Sequence, residues 1–447
     1  MKKKLFFLTI MSAVFLLTGC DKPKDESNGV LAVSADEFLS SIGAVSSVSR
    51  RGEILDETIE NMKYTGLRWL RVGFEDDAPV EDFIRLNKEA GTLFSYGLLS
   101  GRTEIDRLIT ESRQLAEAGA LIAVEGSNEP NNWGITYQGE TGGAMLSWLP
   151  VAKMHRDLYQ AVKSDPVLKD YPVWATCETG GQIDNTGLQF LTIPEGADSL
   201  LMPAGTKYAD YANCHNYVSH PSWPGLHDNQ TWLSSSPGKD CPVDGLYGNF
   251  GLTWRKKFQG YSDEELETLP RVTTETGYAI SEKNGVTEEI QARLYLNLYL
   301  SQFKRGWKYT AMYLLKGRAN EPEHEKYAFF TLENKPKIAA QYLHNFTTIL
   351  ADNANVENLG KIDYTIPEQP ETTHDLLLQK TNGNFYLVLW GERFAGGTDK
   401  VDVKFLNNYT IKMYDPTKCS DAINEFKNTN IVALELTNHP IILEIIK

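Results

Sequence analysis

The sequence is poor in positive charge, and this limits what the protein binds. Its 447 residues include 44 Lys and Arg against 59 Asp and Glu, giving a formal net charge of −15. The few basic clusters are broken by carboxylates, whereas phosphate binding needs a basic face, so we expect no nucleic-acid partner. With 41% hydrophobic and 23% charged residues, the composition excludes disordered and fibrous classes and predicts one large and one small globular domain.

Motifs for cofactor and metal chemistry are missing as well. The chain has no Gly-x-Gly-x-x-Gly turn, no phosphate-binding loop and no Gly-x-Ser-x-Gly nucleophile elbow. Its eight histidines are scattered, and the cluster at 323–325 lacks a second histidine one helical turn away. We therefore expect no cofactor and no metal site.

Residues 1–20 have the pattern of a secretory signal. Lysines at 2–4 precede an apolar run at 5–17 that is too short to span a bilayer as a stable helix. The run ends in Leu-Thr-Gly-Cys at 17–20, which resembles the bacterial lipobox and implies that Cys20 is the lipidated first residue of the mature protein. We expect an exported lipoprotein on the outer membrane or surface of a Gram-negative bacterium, with an uncleaved anchor helix as the alternative.

The charged segment that follows lacks apolar periodicity, so residues 21–35 are predicted to be a linker. An oxidising exported compartment would permit disulfides among the remaining cysteines, whose spacing fits no zinc or haem pattern. These are Cys177, Cys214, Cys241 and Cys419. Cys214 with Cys241 is the favoured pairing because the two flank one long loop, and buried thiols are an equal alternative.

From about residue 40, short β-rich runs alternate with longer amphipathic segments, which is typical of an α/β fold. Strands are predicted at 41–48, 67–74, 93–99, 121–127, 173–178, 211–217, 271–275 and 309–315. Helices are predicted at 55–64, 83–89, 104–118, 151–162, 288–304 and 336–349. Eight strand–helix units over about 300 residues predict a (β/α)8 TIM barrel, with its domain at 36–350.

Residues 351–447 show repeated β runs without helices between them. They are predicted to form a small all-β sandwich domain. We expect it to pack on the barrel as a structural partner, and carbohydrate binding is the alternative role.

Two carboxylates stand where a barrel keeps its chemistry, at the C-terminal ends of strands. Glu129 follows the fourth predicted strand and Glu275 ends the seventh. Strands four and seven face each other across a barrel of eight, so both carboxylates can converge on one bond. Glycosidic bond cleavage needs such a pair, one to protonate the leaving oxygen and one to attack the anomeric carbon or activate water.

At these positions the sequence resembles the clan A glycoside hydrolases, over about residues 40–345. In that clan the acid/base Glu follows an Asn at the end of the fourth strand, as in Asn128-Glu129-Pro130, and the nucleophile Glu ends the seventh. The resemblance implies a retaining enzyme that cleaves β-glycosidic bonds of a poly- or oligosaccharide. It makes Glu275 the nucleophile and Glu129 the acid/base, and it assigns Asn128 to the sugar 2-hydroxyl.

Further residues fit the clan's pattern. Arg71 ends the second predicted strand, where the clan often keeps an Arg near the nucleophile, and His215-Asn216-Tyr217 resembles its His-x-Tyr. Arg71 and Tyr217 would stabilise ionised Glu275, while a less polar setting would keep Glu129 protonated. A strand-end ion pair is the alternative role for Arg71, and packing is the alternative for His215.

The resemblance has two departures. Phe330 stands where a segment closing the barrel frequently has Gly, and the eighth strand lacks the Trp that many members place under the sugar. Tyr313 is expected to substitute for that Trp, with Trp307 as an alternative. A carboxylate pair that includes Glu75 or Glu178 also stays open.

The connection after the sixth strand, residues 218–261, is long and aromatic. Sugar rings stack well on aromatic side chains, so Trp223 and Trp232 are predicted to contact substrate, and the loop is predicted to wall the cleft. A loop that packs on itself is the equal alternative. A walled cleft favours endo action, and the alternatives are an exo-acting β-glycosidase or a non-catalytic glycan-binding lipoprotein.

Overall fold

A computed structural model describes residues 29–446, apart from 75–76, 131, 144–145, 178, 181–201, 204, 220–222, 238–240, 244–264, 266–267 and 353. Cys20, Glu75, Glu178 and much of the 218–261 loop therefore lie outside the described residues. Within the described ranges, no helix is both long and apolar enough to cross a bilayer.

The large domain is a barrel of eight parallel strands, as predicted. Their bounds are Ile42–Val45, Trp69–Gly73, Leu93–Gly97, Leu121–Glu125, Val173–Trp174, Ala212–Asn213, Arg271–Thr276 and Trp307–Met312. The sixth strand pairs with the seventh, the seventh with the eighth, the eighth with the first, and so on to the fifth, always in parallel. A parallel bridge between Trp174 and Tyr211 joins the fifth strand to the sixth. The sheet thus closes on itself.

Helices follow most of these strands. The described ones are Ala35–Ser41, Leu55–Thr65, Val80–Ala90, Ile105–Glu117, Leu149–Ser164, Gln230–Ser234, Glu288–Lys304 and Ile338–Leu350. Gly66 and Gly91 end two of them in the left-handed conformation, with φ of 67° and 70°, and their N–H groups cap Met62 and Asn87 carbonyls. Glycine adopts this conformation without a Cβ penalty, so each helix stops one turn before the next strand.

Large aromatic rings fill the lower barrel. Trp69 packs edge-on against Trp174 and Tyr309, with ring centroids 5.7 Å and 5.6 Å away. A Cβ on Gly43 would lie 2.4 Å from the Trp69 ring, so only glycine fits beside it. Because side chains alternate along a strand, Arg71 points inward one repeat above Trp69, toward the carboxyl ends of the strands.

The C-terminal part forms an all-β domain of antiparallel strands, as predicted. Its strands are Lys361–Ile362, Tyr364–Thr365, Thr373–Gln379, Phe385–Gly391, Asp399–Tyr414, Asn424–Leu436 and Pro440–Ile446. The N-terminal strands Val30–Leu31 and Val33–Ser34 also join it, pairing with Lys361–Ile362 and with Leu378 and Gln379. Residues 30–34 therefore differ from the predicted linker, because the edge strand offers hydrogen-bonding groups that this segment satisfies.

Candidate active site

Arg71 is the centre of the polar layer at the barrel mouth. It is 2% exposed, and its guanidinium donates to Glu275 Oε1 at 2.6 Å, to Asn128 Oδ1 at 2.7 Å and to Glu125 Oε1 at 3.2 Å. Burial by itself lowers the pKa of Arg71, but Glu125, Cys177 and Glu275 outweigh it and raise that pKa. The guanidinium is thus a fixed positive charge that orients Glu275 and Asn128.

Glu275 lies near the end of the seventh strand and is 9% exposed. Tyr217 donates its hydroxyl to Glu275 Oε2 at 3.0 Å, while Arg71 holds the other oxygen. Burial, reinforced by the Glu275 charge, raises the pKa of Tyr217 well above its ordinary value. The phenol therefore stays protonated and donates to Glu275.

Glu129 is presented by a tight turn after the fourth strand, and it adopts a φ of 40°. Its carbonyl accepts from the Asn132 and Trp133 N–H groups, each at 2.8 Å. Its side-chain Oε1 lies 2.6 Å from His215 Nδ1, and Asn132 donates to Oε2 at 3.2 Å. A left-handed conformation is uncommon for a glutamate, and here the turn's hydrogen bonds hold it in place.

His215 connects the two carboxylates. Its Nε2 lies 3.1 Å from the Thr274 hydroxyl, and its Nδ1 lies 3.5 Å from Glu275 Oε2 as well as near Glu129. Burial by itself lowers the pKa of His215, but Cys177, Glu275 and Glu129 outweigh it and raise the pKa well above its ordinary value.

The two carboxylates are close together. One oxygen each of Glu129 and Glu275 and a nitrogen of His215 lie within 4.8 Å of one another. Carboxyl groups about 5–5.5 Å apart are typical of retaining glycosidases, whereas inverting enzymes need about 6.5–9.5 Å to admit a water. The spacing suits direct attack by one carboxylate on a carbon beside the other.

A pocket of 440 Å³ opens above these groups. Tyr313, at its wall, is 7% exposed, and its hydroxyl lies 2.8 Å from His324 Nδ1 and 3.3 Å from Arg318 Nη1. Tyr313 thus lines the pocket where the sequence predicts an aromatic in place of Trp. Trp307 is instead 1% exposed and packs against Ala212 and Cys214, away from the pocket.

Neither tryptophan predicted from the long loop lines the pocket formed by the described residues. Trp232 stacks on His374 with centroids 4.0 Å apart and lies under the Arg305 guanidinium, at the junction with the β-domain. The structure therefore places the Trp232 ring among packing partners rather than at this pocket. Trp223 stacks on His227 at 4.6 Å, so this part of the loop packs on itself.

All four cysteines of the body are thiols, so the favoured pairing of Cys214 with Cys241 is wrong. Cys241 donates instead to the Ser234 carbonyl at 3.5 Å. Cys177 is fully buried in the site, with its sulfur 3.7 Å from Arg71 Nη2. Glu125, Cys177 and His215 have the donor atoms for a metal site, but the adjacent Arg71 charge opposes a cation there.

Sequence reasoning missed several groups of the site. Glu125 is fully buried behind Arg71 and accepts from Ser95 and Thr274, each at 2.8 Å. Its alternation with Ala123 on the fourth strand is the signal that could have placed it inside the barrel. Trp133, 55% exposed at the pocket, and Glu321 come from loops, where no periodicity identifies them.

No protein-family model matches the sequence, and no curated protein is significantly similar to it. Solved structures do match it. A family 39 glycoside hydrolase from Bacteroides cellulosilyticus WH2 superposes with a TM-score of 0.56 at 14% identity, over 93% of this chain and 82% of that one. The catalytic domain of a GH30 xylanase C from Talaromyces cellulolyticus gives 0.53 at 10% identity, over 94% and 98%.

A GH51 arabinofuranosidase from Xanthomonas axonopodis pv. citri gives a TM-score of 0.51 at 13% identity, over 94% of this chain and 97% of that one. These three enzymes belong to glycoside hydrolase clan A. Their families differ, so no family within the clan is assigned. The chain has the (β/α)8 fold of the clan A glycoside hydrolases, followed by an all-β domain.

Proposed function

We propose that this protein is a retaining glycoside hydrolase that cleaves β-glycosidic bonds, with Glu275 as nucleophile and Glu129 as acid/base. The observation that carries the proposal is the close approach of the two carboxylates, with one oxygen of each within 4.8 Å of the other, inside one pocket. The fold neighbours named above are themselves glycoside hydrolases, which agrees with it.

In the first step, an ionised Glu275 oxygen attacks the anomeric carbon, and Glu129 gives its proton to the departing glycosidic oxygen. Arg71 and Tyr217 hold the Glu275 carboxylate in position until it forms the ester. In the second step, Glu129 removes a proton from water, which attacks the same carbon and releases Glu275. Each displacement inverts the configuration of the anomeric carbon, so two displacements in succession retain it.

His215 and Asn128 position the reacting groups. With Nδ1 protonated, His215 donates to Glu129 Oε1 and fixes the acid relative to Glu275. Asn128 receives Arg71 on its oxygen and donates its amide to Ser100 Oγ at 3.0 Å. This places a polar amide at the pocket wall, where a sugar hydroxyl beside the anomeric carbon can bind.

We propose exo action rather than the endo action expected from the loop, since Trp223 and Trp232 do not line the pocket. The connections after the first and eighth strands are joined beside the pocket. The Ala319 N–H donates to the Arg51 carbonyl at 2.8 Å, and Lys316 Nζ donates to the Gly52 carbonyl at 3.1 Å. These two contacts hold the connections together on this side of the pocket, which favours a short row of sugar units before the cleaved bond.

The test is hydrolysis of a panel of β-glucans, mannans, xylans, galactans and 4-nitrophenyl glycosides, with products followed by chromatography and NMR. The first sugar released should retain its anomeric configuration, and Glu275→Gln should reduce turnover to background. Exo action should release one small sugar from the start while viscosity falls slowly. An inverted first product would refute the mechanism, and a rapid early loss of viscosity would refute exo action.

A further inference from the structure

One wall of the pocket is an ionic cluster that the proposed chemistry does not use. It consists of Arg51, Arg318, Glu321 and His324. Arg51 Nη1 and Arg318 Nη1 both donate to Glu321 Oε2 at 3.2 Å, and His324 Nδ1 lies 3.5 Å from the same oxygen. The cluster joins the first connection of the barrel to the last.

Glu321 has one oxygen left for a ligand. Its Oε2 is shared by the cations, whereas no donor among the described residues contacts Oε1, and the side chain is 28% exposed. Burial by itself raises the pKa of Glu321, but Arg318 and Arg51 outweigh it and lower that pKa. Glu321 is therefore a rigid, ionised acceptor, and a carboxylate in that state forms strong hydrogen bonds to hydroxyl donors.

Arg318 has two carboxyl groups beside it. Arg318 faces both Glu321 and Glu53, a fully buried carboxyl that accepts from Ser46 Oγ at 2.5 Å and the Ser47 N–H at 2.6 Å. Burial raises the pKa of Glu53 even though Arg318 opposes the change. An anionic group entering here would meet the Glu321 charge, so the wall suits a neutral sugar.

The wall lies beside the proposed nucleophile. Arg318 contacts the Tyr313 hydroxyl, the Tyr313 ring lies 6.3 Å from the Tyr217 ring, and Tyr217 donates to Glu275. If the leaving group departs past Glu129, on the side of Asn132 and Trp133, the sugar attacked by Glu275 extends toward Tyr313. Its far hydroxyls then reach the wall.

We propose that Glu321 is a specificity-determining residue that accepts hydrogen bonds from hydroxyls on the far side of a neutral glycone. This inference rests on the proposed glycosidase function and names the class of sugar that it takes. A site built to bind a hydroxyl discriminates strongly against an analogue that lacks it, because the acceptor, once covered by the bound sugar, is then left unpaired.

The experiment is a cycle of substrate and protein changes on the full chain. The 4-nitrophenyl glycoside that is cleaved best, and its monodeoxy derivatives, are assayed with wild type, Glu321→Gln and Glu321→Ala. Removing the bound hydroxyl should lower wild-type kcat/KM roughly 10- to 100-fold, and the same deletion should cost Glu321→Ala less than about 3-fold. Glu323→Gln is the matched control, since its side chain is 62% exposed on the same 3-10 turn.

The outcomes separate this inference from the proposed function. If no glycoside is cleaved, the proposed function fails and the inference falls with it. If a glycoside is cleaved but every deoxy derivative loses the same factor in wild type and Glu321→Ala, Glu321 has a structural role and the inference alone is overturned. A uronide cleaved faster than its neutral counterpart would overturn it too, because Arg51 and Arg318 would then be binding the acid.

Discussion

Glu129 has one proposed task, the protonation of the leaving group, and kinetics can separate that task from a general effect on the fold. Glu129→Ala removes the proton donor but leaves Arg71, Tyr217 and Glu275 in contact. Cleavage of an unactivated disaccharide should fall about 10²–10⁴-fold, because the leaving oxygen then departs unprotonated. A 2,4-dinitrophenyl glycoside, whose leaving group needs no proton, should still form the glycosyl-enzyme at a near wild-type rate.

The measurement is kcat/KM for both substrates, with the glycosyl-enzyme trapped for mass spectrometry. Glu140→Ala serves as control because its side chain is 55% exposed and pairs with Lys153, on a hairpin of strands Ile135–Tyr137 and Glu140–Gly142 in the same connection. An equal loss on both substrates would mean that Glu129 is not the acid.

At the level of elements, the helix Gln230–Ser234 connects the barrel to the β-domain rather than walling the pocket. Trp232→Ala should lower the free energy of unfolding by about 3 kcal/mol, since the ring packs on His374 and Arg305, and leave kcat/KM unchanged. Trp133→Ala should instead affect substrate binding and leave stability nearly unchanged, because its ring is 55% exposed at the pocket. It should raise KM for an oligosaccharide and change stability by less than about 0.5 kcal/mol.

Urea unfolding and Michaelis constants measured on the same preparations test both variants. A raised KM in Trp232→Ala, with the fold intact, would show that Trp232 does contribute to substrate binding.

The same junction contains a titrating group. Glu392 is fully buried and accepts from the Thr231 N–H at 3.0 Å and from the Thr231 hydroxyl. Burial raises the pKa of Glu392 to about 7 from its ordinary 4.5, against the opposing effect of its hydrogen bonds. The folded chain then binds this proton more tightly than the unfolded chain, so its contribution to stability is complete below about pH 4.5 and is lost as pH rises toward 7.

Glu392→Gln removes the ionisable group, so this variant should lack the pH-dependent loss of stability, which amounts to ~3 kcal/mol at most. The melting temperature is measured from pH 4.5 to 8 for wild type, Glu392→Gln and the exposed control Glu435→Gln, whose side chain is 67% exposed. Wild type and the control should lose stability more steeply than Glu392→Gln between pH 5 and 7. Parallel curves would contradict the assignment.

Local patterns predicted the elements well, and long-range contacts explain the failures. All eight barrel strands overlap their predicted ranges. The signals that define them, glycine helix caps and alternating apolar residues, are local and lie within a few positions of each other in the sequence. The packing of Trp232 could not be predicted because its partner His374 belongs to the other domain. Arg51 and Glu321 meet across 270 positions of sequence, and neither loop has a periodicity that reveals the contact.

At the scale of the whole molecule, the two ends of the chain share one sheet. Val33 and Ser34 pair with Leu378 and Gln379, so the segment that precedes the barrel in the sequence is part of the β-domain sheet. This pairing determines which domain would lie nearest to an N-terminal membrane anchor. If Cys20 is lipidated, the segment 21–29 spans at most about 30 Å, and the β-domain would face the membrane from that distance.

We propose, from the sequence of residues 1–20, that the protein is an outer-membrane lipoprotein anchored through Cys20. Metabolic labelling with a fatty acid should mark the wild type, and Cys20→Ala should lose both the label and the membrane association. The control Cys419→Ala, a thiol in the β-domain, should keep both. Equal labelling of wild type and Cys20→Ala, or none in either, would refute the proposed anchor. The proposed position of the β-domain near the membrane would then be refuted as well.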